Sequence, residues 1–405
     1  MRIAVANWTA RRAGGVEAYL GLLIPALRSH GHEVFFWHEL DEPTNREPIP
    51  GATDGPRASL SDGGSTTALE RLRAWRPDVL FVHRLDRPEH ERALLAMAPG
   101  VFFVHGYHGT CISGTKTTTL PVAQPCTRVF GPTCLVHYFP RRCGGRSPIT
   151  MLSEYRRQTA RLELLKQYAS LVTFSEHMRR EYLNHGFDQR RVTRLPAVDP
   201  MERVPRSHRT NENAPAGHTS VTRIAFIGRV DRLKGLDLLV EALPLIRKAV
   251  GGRLMLTVAG DGPDLARCQQ LAATIGPQLA DTEILFLGWA SPVQCQAVLE
   301  TTDVLAVPSV WPEPFGLVGI EAARHGVPVA AFKVGGIPEW LEDGRNGALA
   351  PASPPTAAGL AAAIERCLSP EIHRAIHIRT AGIVDYSIDH HIAQLLPVLM
   401  EAGLK

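Results

Sequence analysis

Short apolar runs alternate with longer amphipathic stretches along most of this chain. The opening run, Arg2–Asn7, precedes a stretch over Val16–Ser29 in which apolar residues recur at helical spacing. Further strand-like runs in the first half are Glu33–His38, Val79–His83, Val101–His105 and Leu171–Ser175. Strands that alternate with helices predict a parallel sheet covered on both faces.

The alternation restarts, more regularly, in the second half of the chain. The strands predicted there are Arg223–Ile227, Arg253–Ala259, Ile284–Leu287, Val304–Val307 and Val329–Phe332. The helices predicted between them are Gly235–Val250, Pro263–Ile275, Pro292–Thr301 and Leu317–His325. We therefore expect a second α/β domain of the same doubly wound kind.

Polar segments rich in proline and glycine mark the expected boundaries. Residues 41–66 predict a long surface loop, and residues 200–222 lack apolar periodicity and predict an inter-domain linker. The expected domains are then residues 1–199 and 223–385, with a C-terminal helix at 386–405 that returns to the first domain. Two Rossmann-like domains that face each other across a cleft are the simplest architecture.

The composition is that of a soluble globular protein. Of 405 residues, 44% are apolar and 21% are charged, and the net charge of +4 is too small to indicate a nucleic-acid partner. The opening apolar run is too short for a secretory signal, and no apolar stretch approaches the ~18 residues that span a bilayer. We therefore expect a cytoplasmic protein.

Pairs of arginines are concentrated in the first half, at residues 141–142, 156–157, 179–180 and 190–191. Such clusters suit an anionic substrate or the anionic surface of a membrane, and solvated helix faces are the simpler alternative. The sequence leaves these interpretations open, so peripheral association with the inner face of a membrane is a hypothesis.

The loops that follow the predicted strands carry the candidate chemistry, because ligands of open parallel sheets bind beyond the carboxyl ends of the strands. Gly228 begins the loop GRVDRLKG, in which Arg229 and Lys234 precede a helix. Two cations beside helix N–H groups predict a site for a phosphate group. Gly260 and Gly262 in the next loop permit close approach of a ligand, although a tight turn explains them equally well.

The segment PSVWPEPFGLVGIE combines a turn, two carboxylates and a helix start. Glu313 and Glu321 stand eight residues apart, and spacing alone would suit a general acid and base. The N–H groups of Phe315, Gly316 and Leu317 are expected to be unpaired at the helix terminus, where they suit a phosphate or a sugar hydroxyl.

Two features of the first domain are candidates for ligand contact. His105 ends a predicted strand and would hydrogen-bond a substrate hydroxyl, although a single histidine is more often structural. Gly15 follows the first strand, where its backbone N–H would lie near an anion.

Four cysteines lie close together in the segment 106–146, namely Cys111, Cys126, Cys134 and Cys143. Four thiols in a cytoplasmic loop predict a structural zinc site, although the segment has no C-x-x-C pair. A redox-labile disulfide and unrelated cysteines are the alternatives that the sequence leaves open.

The motifs GRVDRLKG, AGDGP and EPFGLVGIEAARHGVPVAAFKVGGIPEWLEDGRNGAL, taken in this order, resemble those of the retaining glycosyltransferases of family 4, group 1, which have the GT-B fold. The likeness is strongest over residues 223–350 and weaker in the first half, where GGVE and His105 agree. It implies a metal-independent hexosyltransferase with no required cofactor. The implied donor is a UDP- or GDP-sugar, and the implied acceptor is a glycan or a lipid-linked molecule of cell-surface polysaccharide or glycolipid synthesis.

The resemblance also implies a role for each motif residue of the second domain. Arg229 and Lys234 would hold the diphosphate and stabilise the leaving nucleotide. Glu313 would contact the sugar hydroxyls and Glu321 the ribose, which displaces the acid and base interpretation. The N–H groups of residues 315–317 would contact the sugar or a phosphate.

In the first domain, the resemblance would place Gly15 against the distal phosphate and His105 beside the sugar near the reacting carbon. Two other classes stay open: a GT-B isomerase or phosphorylase, and a non-catalytic protein that binds nucleotide sugars. The presence of both GRVDRLKG and EPFGLVGIE argues against an epimerase, and the intact set of charged residues argues against a binding protein.

Overall fold

The computed structural model describes residues 1–12, 14–40, 47–199, 221–279, 281–379 and 385–404. Within these ranges the chain forms two compact units. The first unit takes residues 1–116, 127–199 and 385–404, and the second takes 117–126 and 221–379. Apart from Val221 and Thr222, which already belong to a strand, the expected linker at 200–222 lies outside the described residues.

A parallel sheet of seven strands forms the centre of the first unit. The strands described up to residue 199 are β1 (Arg2–Thr9), β2 (Glu33–Leu40), β3 (Arg57–Ser59), β4 (Val79–Val82), β5 (Gly100–Phe103), β6 (Thr117–Thr118), β7 (Gln124–Pro125), β8 (Ser170–Thr173) and β9 (Val192–Arg194). The sheet has the order β3-β2-β1-β4-β5-β8-β9, while β6 and β7 form a separate antiparallel hairpin. Every residue of β4, β5 and β8 is buried, as expected for strands covered on both faces.

The helices of the first half connect these strands. They are α1 (Gly15–Ser29), α2 (Gly64–Trp75), α3 (Pro88–Leu95), α4 (Thr133–His137), α5 (Pro148–Leu165) and α6 (Glu176–Leu183). The apolar face predicted for α1 is buried, since Tyr19, Leu20, Leu23 and Ile24 are at most 2% exposed. Serine caps fix the starts of α5 and α6, where Ser147 accepts a bond from the Thr150 N–H and Ser175 from the Met178 N–H.

The second unit contains a parallel sheet of six strands with the order β12-β11-β10-β13-β14-β15. These are β10 (Val221–Ile227), β11 (Arg253–Ala259), β12 (Thr282–Gly288), β13 (Val304–Val307), β14 (Val329–Phe332) and β15 (Gly347–Ala350). The remaining helices are α7 (Leu236–Val250), α8 (Leu265–Ile275), α9 (Pro292–Thr301), α10 (Val318–Arg324), α11 (Ala357–Cys367), α12 (Pro370–Arg379) and α13 (Ile388–Gly403). The predicted α/β class with two Rossmann-like parallel sheets is confirmed.

Five of the described strands were not predicted, namely β3, β6, β7, β9 and β15. The expected loop at 41–66 is wrong in its second part, because β3 adds a strand beside β2, with Phe36 opposite Arg57. The sequence gives little sign of it, since β3 is three residues long and stands among polar residues. The strand β15 was not predicted either, because its sequence, GALA, consists mostly of small residues with weak strand preference.

The last helix, α13, belongs to the first unit. Its His391 is buried, and His391 Nε2 lies 2.7 Å from the hydroxyl of Tyr19 on α1. His391 Nδ1 lies 2.7 Å from the carbonyl oxygen of Pro196. Because that oxygen can only accept, Nδ1 carries the ring proton and Nε2 accepts from the tyrosine. Among the described residues, no helix is long and apolar enough to cross a bilayer.

We predict that His391 makes the stability of the protein depend on pH. Burial, together with the charge of His390, lowers the pKa of the His391 ring from 6.5 to about 4. The unfolded state therefore binds more protons between these values, so the stabilisation is complete above about pH 6.5 and is lost as the pH falls towards 4, at up to about 1.4 kcal/mol per pH unit.

Urea unfolding of the wild type and of His391→Gln at several pH values measures this effect. The difference in unfolding free energy between the two should shrink as the pH falls from 7 to 4.5. His390→Gln removes only the smaller contribution to the lowered pKa of His391 and should retain most of the wild-type pH dependence. Parallel curves for the wild type and His391→Gln would show that the ring does not titrate in this way.

Candidate active site

The strand order of each sheet changes direction once. The change falls between β1 and β4 in the first sheet and between β10 and β13 in the second. Loops leave the carboxyl ends of two such neighbouring strands in opposite directions, and the space between them is where ligands of open α/β sheets bind. In the second unit, the loops after β10 and β13 carry Arg229, Lys234 and Glu313.

The structure brings Lys234 and Glu313 into direct contact. Lys234 Nζ lies 2.6 Å from Glu313 Oε1 and 5.2 Å from the centre of the Trp311 ring. Ser309 Oγ donates a second bond to the same carboxylate oxygen at 2.5 Å. The Glu313 carboxylate is almost completely buried, while the lysine is partly accessible. The sequence had assigned these two residues to different parts of a ligand and gave no sign of the ion pair.

Backbone hydrogen bonds hold the two loops together. The N–H groups of Val310 and Trp311 donate to the Leu233 carbonyl oxygen at 2.9 and 3.2 Å. Asp231 shapes the first loop, because its Oδ1 accepts from the N–H groups of Leu233 and Lys234. Lys234 is therefore positioned by hydrogen bonds within its own loop after β10 and by bonds from the loop after β13.

Two glycines allow neighbouring loops to approach the loops that carry Lys234 and Glu313 closely. A Cβ on Gly260 would lie 1.8 Å from the Gly228 carbonyl oxygen, and one on Gly335 would lie 2.2 Å from the Glu313 carbonyl oxygen. The next residue, Gly336, donates its N–H to the same oxygen of Glu313 at 2.7 Å. For Gly260, the structure thus shows a contact between loops that requires glycine whether or not a ligand is bound. Gly262 follows in the same loop.

Arg229 is far more accessible than Lys234 or Glu313. Its side chain is 71% exposed, and its Nε lies 3.7 Å from Asp231 Oδ2. The pairing is loose enough that the guanidinium remains free to turn towards a ligand. Of the two cations predicted to bind phosphate, Lys234 is held by Glu313, whereas Arg229 is largely exposed.

The segment 315–317 leads into α10 as predicted, although the helix begins one residue later, at Val318. The first backbone hydrogen bonds of this turn are donated by the N–H groups of Gly319 and Ile320 to the carbonyl oxygens of Gly316 and Leu317. The N–H groups of Gly316 and Leu317 themselves come before these donors in the chain. The Trp340 indole donates to the Phe315 carbonyl oxygen at 2.6 Å and fixes the approach to the helix.

Glu321 lies in the first turn of α10 and is partly buried. Its charge is close enough to Cys295, on α9, to add to the effect of burial, and the two raise the pKa of that thiol to about 12. Glu321 and Glu313 thus occupy different elements, a helix and a buried loop, and only Glu313 is held by Lys234.

In the first unit, His105 follows β5 and contacts a second histidine. Its Nε2 lies 2.9 Å from Nδ1 of His83, and its ring stacks on Phe103 at a centroid distance of 4.3 Å. Burial, with a smaller contribution from the charge of His108, lowers the pKa of His105 to about 3. Burial likewise places the pKa of His83 well below 6.5. Both rings are therefore neutral at pH 7, and one proton lies between the two facing nitrogens.

His83 contacts the candidate residue His105 and is a neighbour that the sequence analysis missed. It ended the predicted run Val79–His83 just as His105 ended the next run, so the signal was present but was not used. Among the described residues, His83 Nε2 has no hydrogen-bond partner. An unpaired buried acceptor is less costly than an unpaired N–H, which favours the tautomer with the proton on His83 Nδ1. His105 then accepts at Nε2 and carries its own proton on Nδ1.

Gly15 is the first residue of α1, and the turn of this helix is fixed by a buried carboxylate. Glu17 Oε1 accepts bonds from Trp8 Nε1 at 3.0 Å and from Asn7 Nδ2 at 3.2 Å. These bonds join the end of β1 to the first turn of α1. Glu17 stands in the GGVE motif but had been given no role of its own.

The four clustered cysteines do not form a recognisable metal site. Among the described residues, no group of three or more His, Cys, Asp or Glu side chains is placed to hold a metal ion. None of the four cysteines forms a disulfide, and Cys126 falls in the segment that groups with the second unit, whereas Cys111, Cys134 and Cys143 belong to the first. Cys134 and Cys143 pack instead against a small apolar cluster around Tyr138. The structure gives the zinc hypothesis no support.

Two parallel α/β units, each with candidate ligand-binding residues where its strand order reverses, define the architecture of GT-B glycosyltransferases. The comparisons with known proteins agree. The family model "Glycosyltransferase Family 4" matches residues 13–198, and "Glycosyl transferases group 1" matches residues 221–370. The chain belongs to this glycosyltransferase family.

Relatives and solved structures place the chain among similar proteins. A D-inositol 3-phosphate glycosyltransferase of Corynebacterium kroppenstedtii is 34% identical over 166 residues, which are 38% of this chain and 36% of that relative. The match thus spans little more than a third of the relative's length. Anabaena HepE, solved with UDP and glucose, has a TM-score of 0.67 at 16% identity and covers 99% of this chain and 100% of its own. WaaG, a glycosyltransferase involved in lipopolysaccharide biosynthesis, has a TM-score of 0.66 at 15% identity over 98% of this chain and 99% of its own. These two structures show the fold.

We predict that Lys234 and Glu313 stabilise each other by about 1–3 kcal/mol, because removing one partner leaves a largely buried charge of the other unpaired. Unfolding free energies of Lys234→Met, Glu313→Gln and the double variant measure this coupling. The loss in the double variant should be clearly smaller than the sum of the two single losses.

The exposed pair of Arg345 and Glu342, at 2.8 Å, is a matched control in the same unit. The corresponding cycle with Arg345→Met and Glu342→Gln should give a coupling below about 0.5 kcal/mol, since solvent screens an exposed pair. Additive losses at Lys234 and Glu313 would contradict the proposed coupling.

Proposed function

We propose that this protein is a retaining glycosyltransferase that transfers a hexose from a UDP- or GDP-sugar to a glycan or lipid-linked acceptor. The observation that carries the proposal is the buried Glu313 carboxylate, bonded to Lys234 at 2.6 Å where the strand order of the second sheet reverses. Family membership supports the transferase class, and the UDP and glucose in the HepE complex support a nucleotide-sugar donor. UDP and GDP remain alternatives for the donor.

Arg229 and Lys234 would bind the diphosphate of the donor. A lysine ammonium has three N–H donors, and one of them is used by Glu313. The others are available for phosphate oxygens, and the exposed Arg229 would add a two-pronged contact. These two cations would neutralise the charge that develops on the leaving nucleotide, so we propose that no divalent metal is required.

Glu313 would bind the sugar, and Glu321 would bind the ribose. Both described bonds to Glu313 use Oε1, so we assign Oε2 as the acceptor for a sugar hydroxyl. Glu321 on α10 would accept bonds from the ribose diol, and the N–H groups of residues 315–317 would contact the sugar or a phosphate. Because Glu313 is already paired with a cation, a binding role suits it better than proton transfer.

In the first unit, Gly15 would contact the distal phosphate and His105 would contact a sugar hydroxyl. A neutral His105 with its proton on Nδ1 would donate to the hydroxyl oxygen from that atom. In the proposed step, an acceptor hydroxyl oxygen bonds to the anomeric carbon on the face that the phosphate leaves. The bond between this carbon and the phosphate oxygen breaks, and the phosphate oxygen takes the proton of the acceptor.

The setting we propose is the synthesis of cell-surface polysaccharide or glycolipid, at the inner face of the membrane. WaaG, which has a similar fold, is involved in lipopolysaccharide biosynthesis, and this is consistent with such an acceptor. The arginine pairs of the first half suit an anionic surface. A non-catalytic protein that binds nucleotide sugars and a GT-B isomerase or phosphorylase are outcomes that the following assay distinguishes.

We predict that Arg229→Gln and Lys234→Met each lower turnover by about 30- to 1000-fold, since one preorganised charge contact to a transition state contributes about 2–4 kcal/mol. The assay measures nucleotide release from a panel of UDP- and GDP-sugars with glycan and lipid-linked acceptors. It also identifies the product by mass spectrometry.

Arg345→Gln, an exposed arginine elsewhere in the second unit, should leave turnover unchanged. Because Arg229 is exposed, a folding defect would not explain a lost rate in Arg229→Gln. Near-normal rates in this variant would remove the diphosphate assignment of Arg229. Donor binding without turnover for any acceptor would identify a binding protein. Conversion of the donor without transfer to an acceptor would identify an isomerase, and cleavage of a glycan by added inorganic phosphate without use of any nucleotide sugar would identify a phosphorylase.

We predict that Glu321→Gln acts mainly on donor affinity. Loss of a charge-assisted hydrogen bond to the ribose should raise the KM for the donor by roughly 10- to 100-fold, with little change in kcat. Steady-state kinetics over a wide range of donor concentrations separate the two parameters. Glu365→Gln, an exposed carboxylate on α11, is the control. An unchanged KM with a lost kcat would mean that Glu321 acts in the chemical step.

A further inference from the structure

Four large apolar side chains are exposed on two short stretches of the first unit. Val136 is 72% exposed, Phe139 39%, Ile149 80% and Leu152 45%. Single exposed apolar residues are ordinary on protein surfaces, but four large ones on two helices and their connection are not. They lie on α4, on the connection that follows it and on the first turns of α5.

Packing determines that these side chains point outward. The other sides of α4 and α5 bury a common cluster, to which Leu135, Tyr138, Met151 and Tyr155 contribute. Further along α5, the inner side is held by polar contacts. Gln158 Oε1 accepts from the Gly109 N–H at 2.7 Å, and Arg161 binds Glu91 and donates to the Leu85 carbonyl oxygen at 2.8 Å.

The outer side of α5 combines apolar and cationic residues at helical spacing. Ile149, Leu152 and Arg156 are separated by three, four and seven positions, so they share one side of the helix. All three are exposed, and so is Arg146 just before the helix. We call the set Val136, Phe139, Arg146, Ile149, Leu152 and Arg156 the α4–α5 surface.

The charge of this region is strongly positive. Residues 128–157 contain six arginines and a single acidic residue, Glu154, and Glu154 is paired with Arg157 at 2.5 Å. Apolar side chains beside arginines are the composition of elements that lie in the interface of a membrane. There the apolar groups enter the boundary between headgroups and acyl chains, and the cations contact anionic headgroups.

We propose that the α4–α5 surface binds the anionic surface of a lipid bilayer. A nucleic acid would match the arginines but not four exposed apolar side chains, and an apolar protein groove would not require the excess of arginine. A bilayer with anionic lipids matches both. The inference specifies where the protein meets a membrane and holds whether or not the proposed glycosyl transfer is correct.

Sedimentation of the full chain with lipid vesicles tests this proposal. We expect binding to vesicles of phosphatidylcholine with about one third phosphatidylglycerol, weaker binding at high salt, and little binding to phosphatidylcholine alone. Each arginine near the surface contributes about fivefold in affinity, from about 1 kcal/mol per charge, so Arg146→Gln/Arg156→Gln should weaken binding about 30-fold.

Removal of the apolar groups is the second arm of the experiment. Ile149→Ser/Leu152→Ser should weaken binding to the anionic vesicles by at least about fivefold, because less apolar area enters the bilayer. Matched controls in the second unit are Val293→Ser, which is 67% exposed, and Arg253→Gln, which is also exposed. Both should bind as the wild type does.

Circular dichroism and thermal unfolding of the variants should be unchanged, since the substituted side chains are exposed. The proposal fails if the wild type does not bind anionic vesicles, or if both double variants bind as well as the wild type. It also fails if the arginine variants alone lose binding and RNA competes equally with vesicles, which would identify a general polyanion site. None of these outcomes depends on catalytic activity.

Discussion

The reversal of strand order within each parallel sheet determines where the candidate site residues of this molecule meet. A parallel strand needs a crossover connection, and the connections of neighbouring strands at a reversal leave in opposite directions. In the second sheet β10 and β13 are such neighbours, with Ile224 opposite Val304. Two residues that are 79 positions apart in the chain, Lys234 and Glu313, therefore meet at one edge. The same arrangement in the first sheet places the residues after β1 and β4 next to one another.

The ion pair at this edge changes how the two charged residues Lys234 and Glu313 are interpreted. On sequence alone, Lys234 was a free cation and Glu313 a free carboxylate. In the structure their opposite charges form an ion pair, and the glutamate side chain is largely buried. A buried carboxylate without a cation would be costly, so Lys234 supports Glu313 before any ligand is present. The proposed diphosphate would meet a lysine that is already oriented, which would reduce the ordering cost of binding.

The sequence was sufficient for the fold class and for most strands, because parallel strands covered on both faces are continuous apolar runs. It also placed Arg229, Lys234, Glu313 and Glu321 after strands, since strand ends are visible in the pattern. It failed for β3, β6, β7, β9 and β15, which are short or consist mostly of small residues and therefore carry little periodic signal. It also could not show the bond between Lys234 and Glu313 or that between His83 and His105. Such pairs depend on which strands are neighbours, and local sequence patterns do not predict the order of strands in a sheet.

The helix α5 links the proposed membrane surface to the candidate residues of the first unit. Its inner side binds the Gly109 N–H through Gln158, only four residues after His105. The Tyr182 hydroxyl donates to the carbonyl oxygens of Gly106 and His108, which fixes the same loop from α6. The loop after β5 is thus held on two sides by helices, and one of these presents Ile149 and Leu152 to solvent. The helix that carries the proposed membrane surface is thus joined to the His105 loop by a direct side-chain bond to the loop backbone.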